Sequence, residues 1–211
     1  MNGFERRKER KKDAVRTAAL ELFQDFGVRK VTIGEIARKA AVSPVTIYNH
    51  FGSKEELVRD VVKHFILGLL EKYRDIMSSE KPFLEKLEMI VFDKTQIARS
   101  FNEEFMRKLM MSDDPEIRRF IDSVFETQIN ELMTDFFLEG QRQGCIRPDV
   151  SRETFLLYTG IFRRGIQAHP ALFGAPEHNE GLVRDISQIY LYGVMGQEPG
   201  GPEPRGAPER S

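Results

Sequence analysis

The sequence predicts an all-α protein of about nine helices, with a small N-terminal head and a larger helical body. Three observations predict it. Apolar residues recur at helical spacing, as in Val15, Ala18, Ala19, Leu22, Phe23 and Phe26, which line one stripe of a helix. The breaks between such stripes carry helix-start and helix-stop chemistry: Thr32 with Glu35, Ser43 with Pro44, Ser53 with Glu56, and Gly27, Gly52 and Gly144. No segment of any length alternates apolar and polar residues as a half-buried strand does.

The chain opens with a basic run, Arg6, Arg7, Lys8, Arg10, Lys11 and Lys12, broken by Glu9. The run reads either as a solvated helix start or as a mobile arm that touches phosphates. The first helix follows and ends at Gly27. Thr32 and Glu35 form a capping box for a short second helix with Ile33, Ile36, Ala37 and Ala40 inward. Ser43 caps a third helix of about two turns, and Pro44 suits its first position because the missing N–H has no partner there anyway. Two short helices separated by Ala41 and Val42 are a helix-turn-helix signature.

Gly52 turns the chain, and Ser53 with Glu56 reads as a further capping box. Leu57, Val61, Phe65, Leu69 and Tyr73 then mark a long helix with a broad apolar face. Beyond Pro82, one helix covers Phe83 to Phe101 and a short one ends near Ser112. Asp114 and Pro115 open a long helix through Phe137 that Gly144 stops. Ser151 resets the chain into a helix from about Glu153 to Ala168, closed by Pro170, and after a loop around Gly174 and Pro176 the last helix covers about Asn179 to Tyr192. The Pro/Gly-rich tail is expected to be disordered. The expected division is a helix-turn-helix domain over 1–55, a helical body over 56–197 and a tail over 198–211.

The composition, 40% hydrophobic and 31% charged over 211 residues, is that of a soluble globular chain with a sizeable core. The apolar stretch Phe65 to Leu70 is far too short to span a bilayer, and the N-terminus opens on charges, so no membrane association and a cytoplasmic location are expected. A single cysteine, Cys145, excludes an intramolecular disulfide or a multi-cysteine zinc site. The net charge of −1 hides an asymmetry: residues 1–54 hold 12 Lys and Arg against 6 Asp and Glu, leaving 20 against 27 for the rest. A basic head on an acidic body points to a polyanion met by the head alone.

Residues 31–57, VTIGEIARKAAVSPVTIYNHFGSKEEL, resemble the N-terminal DNA-binding domain of the TetR family of transcriptional regulators. The family pattern is an amphipathic helix ending at Gly, then T-x-x-x-I-A, a G-V-S turn, a short helix x-x-T-[LI]-Y-x-[HY]-F, and x-x-K-x-x-L. Gly27, Thr32, Ile36, Ala37, Val42, Ser43, Thr46, Ile47, Tyr48, His50, Phe51, Lys54 and Leu57 match it. The pattern's turn glycine is Ala41 here, and an alanine held at positive φ costs about 1 kcal/mol.

In a DNA binder the third helix carries the readout. Ser43, Pro44, Val45, Thr46 and Asn49 would face the major groove, where hydroxyls and Asn49 reach base edges and Pro44 or Val45 touches a thymine methyl. Tyr48 and His50 resemble family residues that donate to phosphates, Lys54 adds a cation, and Thr32 opens a helix N-terminus that suits a phosphate. Ile47 and Phe51 read as core. Tyr48 also suits a structural role, and Thr46 a bond back to its own helix.

The resemblance further implies a homodimer reading a palindromic operator in double-stranded DNA, paired through the last two helices, and a small-molecule effector in the body, apolar or amphipathic. Phe92, Phe105, Met106, Phe125, Met133 and Phe162, with Gln96, Gln128, Tyr158 and Arg163, are the candidates for ligand contact; most of the apolar ones also suit the core. Arg163 or Arg164 suits an anionic ligand or a salt bridge equally. The function implied is a repressor released from its operator by ligand. The alternative is a ligand-independent DNA-binding adaptor controlled by a protein partner. No cofactor or metal is expected: His50, His64, His169 and His178 show no metal spacing, and no nucleophile elbow, P-loop or dinucleotide fingerprint points to an enzyme. Cys145, in the polar turn QGCIRPD, reads as a reactive thiol or, more readily, as an inert one.

Overall fold

In a computed structural model that describes residues 3–169 and 176–195, the chain forms ten α-helical segments. They are α1 (Gly3–Phe26), α2 (Ile33–Lys39), α3 (Pro44–Phe51), α4 (Lys54–Ser78), α5 (Phe83–Ser100), α6 (Glu103–Met111), α7 (Pro115–Val124), α8 (Asn130–Arg142), α9 (Arg152–Ala168) and α10 (Pro176–Met195). A π-helical turn, Phe125–Ile129, joins α7 to α8 without a break in helical backbone. Counted as rods, with α7 and α8 one, there are nine among the described residues. None of these residues lies in a strand.

Capping chemistry sets most boundaries. Asn102, Asp114 and Ser151 each accept a backbone N–H of the helix they open, and Gly27 and Gly144 end α1 and α8 at positive φ. Four expectations change. The basic run is the start of α1 and not a mobile arm. Ser53 accepts the Glu56 N–H at 3.1 Å, but the reciprocal half of the box is not formed, because the Glu56 carboxylate turns to Arg59. The helix opened by Asp114 contains the π turn, which periodicity alone does not reveal. The last helix is longer at both ends than 179–192. Pro170, Gly174 and the tail 198–211 lie outside the described residues.

Two cores result. The first joins α1 to α4 through Val15, Ala19, Phe23, Ile36, Ile47, Leu57 and Val61, and continues without interruption into Ala98, Phe101, Phe105, Met106 and Ile117. The head is therefore welded to the α5–α6 corner of the body. Phe101 and Phe105 stack at 5.2 Å, with Phe23 and Phe65 against them. A polar clasp covers this joint: the Asn102 N–H donates to the Gln24 carbonyl at 2.9 Å, and the Arg29 N–H donates to the Glu104 carboxylate at 3.2 Å. A Cβ on Gly27 would stand 2.6 Å from Glu104 Oε2, so the glycine that ends α1 also makes room for the clasp.

The second core, Met77, Phe83, Ile90, Phe136, Phe137, Ile146 and Phe155, holds the far end of the body. Buried Lys86 donates there to the Met77 carbonyl at 2.8 Å and to Glu139 at 2.7 Å, tying α4, α5 and α8. α4 spans both cores, as α5 does through Ala98 at one end and Phe83 and Ile90 at the other. No helix among the described residues is long and apolar enough to cross a membrane.

Candidate nucleic-acid interface

The head presents α3 on two short hydrogen-bonded devices. At its entry, Thr32 Oγ1 accepts the Glu35 N–H, and the Glu35 carboxylate accepts both the Thr32 N–H and hydroxyl at 2.7 Å. These bonds, the hydroxyl's first, hold the Glu35 carboxyl below its ordinary range. At the exit of α2 the Val42 N–H donates to Ala37 O and the Ala41 N–H to Arg38 O, the bonding of a Schellman motif, whose penultimate residue is left-handed. That residue is Ala41, at φ 53°. The alanine in place of the pattern's glycine thus sits in the strained conformation.

Ser43 then caps α3, accepting the Thr46 N–H at 3.1 Å, and its hydroxyl meets that of Thr46 at 2.9 Å. Pro44 occupies the first turn. Ile47 and Phe51 are buried and fix the helix to the head. Their burial turns Ser43, Pro44, Val45, Tyr48 and Asn49 outward, with Val45 65% and Tyr48 50% exposed. An exposed valine and tyrosine one turn apart, beside an exposed asparagine, form a surface suited to touch bases and phosphates. Thr46 is half-buried and its hydroxyl is engaged with Ser43, leaving it less free than its neighbours. Thr32 is exposed, while His50 and Lys54 are half-buried at the margins of this surface. Burial, then the nearby Lys8, Lys12 and Lys11, push the His50 imidazole below its ordinary pKa.

Residues 15–61 match the family described as bacterial regulatory proteins, tetR family. The N-terminal segment of the chain is similar to this family. In sequence it is 28% identical over 147 residues to the HTH-type transcriptional repressor KstR2 of Mycolicibacterium smegmatis, covering 66% of this chain and 69% of that one. In fold it is similar to the fatty acid degradation regulator FadR of Bacillus halodurans (TM-score 0.59, 19% identity, 86% of this chain and 98% of that one). It is equally similar to FadR of Bacillus subtilis in complex with stearoyl-CoA (TM-score 0.58, 15% identity, 86% and 98%). The matched segment contains the two short helices α2 and α3 and the turn between them.

Among the described residues the ten candidate ligand residues are spread over several parts of the body. Phe105 and Met106 are fully buried in the joint with the head. Phe125, in the π turn, lies under Arg163, whose guanidinium carbon is 4.3 Å from the ring centroid and which donates to Asp122 at 2.7 Å. Tyr158 and Phe162 pack on each other at 4.8 Å and on Tyr190 at 5.1 and 5.3 Å. Met133 packs on the second core, Gln96 is half-buried on α5 and Phe92 is 67% exposed. Gln128 accepts from Arg74 at 3.3 Å and lines a cleft of about 430 Å³ with Met77, Asp135 and Phe136. A larger cleft, about 930 Å³, lies between head and body, with Phe26, Val28, Val58, Ile117 and Ile121 among its walls. Sequence reasoning missed this cleft and the clasp beside it, because both arise from residues more than 70 positions apart, such as Arg29 and Glu104. Arg163 is paired with Asp122, whereas Arg164 is exposed on α9.

Proposed function

We propose that the protein is a homodimeric, cytoplasmic repressor that binds a palindromic operator through α3 and leaves it when an apolar or amphipathic small molecule enters the body. The outward face of α3, with Val45, Tyr48 and Asn49 over buried Ile47 and Phe51, carries the DNA-binding part of this reading. Thr32, Ser43, Pro44, Thr46, His50 and Lys54 frame that face. In the functional division, 1–55 bind DNA and 56–197 sense and dimerise. The repressor sense follows the name of the KstR2 relative, and the stearoyl-CoA held by a FadR of similar fold supports a long apolar or acyl effector.

Dimerisation is supported by Leu157, Ile161 and Ile189, which are 54 to 63% exposed on α9 and α10, a stripe that a second copy would cover. Gly165 has no heavy atom within 4 Å of an added Cβ, leaving space for that copy. Release then requires the effector to favour the non-binding arrangement by a few kcal/mol, transmitted along α4, which is continuous between the cores.

A gel shift on the intergenic DNA flanking the gene tests the reading. Wild type retards a palindromic fragment at low salt, whereas Tyr48→Ala and Lys54→Ala each lose about tenfold or more in affinity. Unchanged shifts in both variants overturn the assignment of α3, and a thermal-shift screen with acyl ligands that raises no Tm removes the effector class.

A further inference from the structure

The charges at the start of α1 are sorted by side of the helix. Glu5, Glu9 and Asp13 recur every fourth residue and share a side with Arg16. Arg16 donates to Glu9 at 2.6 Å, to Asp13 at 2.8 Å and to Asp60 of α4 at 2.5 Å. The acids that interrupt the basic run in sequence are therefore drawn away in space. Lys8, Lys11 and Lys12 fall instead on the side of Val15, and none of them makes an ion pair among the described residues.

This cationic side adjoins the recognition helix. Lys12 Nζ lies 6.0 Å from the ring centroid of Phe51, the last residue of α3. The same three lysines act on the imidazole of His50, with Glu9 opposing them in part. Lys8 to Lys12 spans about 6 Å of helix axis, a density of cations comparable to one phosphate per about 3.4 Å of each DNA strand. The helix also holds them in place before contact, so no ordering of a loose arm opposes binding. All three lie upstream of the segment 15–61 that the family shares.

We propose that this side of α1 is a second phosphate-binding surface, in which Lys8, Lys11 and Lys12 grip the DNA backbone beside the end of α3. The inference rests on the DNA-binding reading above and adds residues outside its readout surface. Its contribution is independent of base sequence, so it strengthens specific and non-specific binding alike.

The test is the salt dependence of binding to a generic duplex of about 40 base pairs, for the full chain and for the triple variant Lys8→Gln, Lys11→Gln, Lys12→Gln. Loss of three phosphate contacts lowers the slope of log K against log salt by about 2.7, so that raising salt from about 50 to about 200 mM weakens the wild type about 40-fold more than the variant. A control neutralising Lys81, Arg142 and Arg152 on the body changes net charge equally and keeps the wild-type slope; an equal fall in the control overturns the proposal. Thermal unfolding of both variants establishes that they fold. A triple variant with wild-type slope, while Tyr48→Ala loses the operator, overturns the second surface and leaves the function standing. A wild type with no salt-dependent binding overturns both.

Discussion

The head and the far end of the body are both helical, but they are held together at different ranges along the chain. In the head the helix caps close within three residues: Thr32 with Glu35, Ser43 with Thr46, Ser53 with Glu56, and longer ties such as Lys39 to Glu21 and Arg16 to Asp60 are added to them. In the body the polar ties are long: Arg59 to Asp114, Lys86 to Glu139, the Phe83 N–H to Gln143, Arg163 to Asp122. Local capping fixes where short helices begin, so the head can hold α3 at a set angle with few apolar residues. The body instead brings distant helices together with partly buried ions, each of which needs its partner in place to offset desolvation.

The comparison breaks most visibly at Lys86. Removing the ammonium in Lys86→Ala leaves Glu139 with Gln143 Nε2 as its remaining partner and a cavity at a site only 3% exposed, and should cost about 2 to 4 kcal/mol, read as a lower urea midpoint for the whole chain. A head cap is worth less: Ser43→Ala removes the acceptor of the Thr46 N–H and should cost about 1 kcal/mol, while weakening operator binding by loosening the start of α3. The opposite sign is expected at Ala41. Ala41→Gly relieves φ 53° and should stabilise by about 0.5 to 1 kcal/mol in the same denaturation measurement.

His50 gives the smallest effect. Its folded pKa lies below the ordinary 6.5, so the unfolded chain binds the proton more readily, and His50 costs stability as pH falls through 6.5 to the folded value. DNA acts in the opposite direction, because phosphate favours the imidazolium. Operator affinity should therefore rise modestly as pH falls over this range in wild type and not in His50→Gln, as followed by fluorescence anisotropy.

How much of this was legible follows the same division. Gly27, Thr32, Ser43, Pro44 and Gly52 announce the head because a cap or a turn needs a particular residue at a particular place, and neighbours in sequence satisfy it. Ala41 was legible even as a departure, since the motif specifies the conformation it must adopt. The joint between Phe23 and Phe105 was not, because apolar periodicity says which side of a helix is inward but not which helix it meets. For the same reason Phe105 and Met106 read equally well as pocket or core. Lys86 gave no signal: a lysine at helical spacing reads as surface until Glu139 stands opposite. The lysines of α1 were visible as a run, yet their separation from Glu9 and Asp13 depends on where Arg16 points.

The π turn at Phe125–Ile129 has a consequence for how this chain tolerates change. A π turn holds one residue more than the α-helical ladder needs, and here the Asn130 N–H reaches back to the Phe125 carbonyl to close it. Deleting a single residue within it would let the rod continue as ordinary α-helix with the faces of α7 and α8 kept in phase, whereas deleting one from the first turn of α8 would rotate the residues beyond it by about 100°. In that second case Phe136 and Phe137 would leave the second core together, and Glu139 would leave Lys86. The π turn is thus the one place described in this rod where a residue can be lost without exchanging an inward face for an outward one.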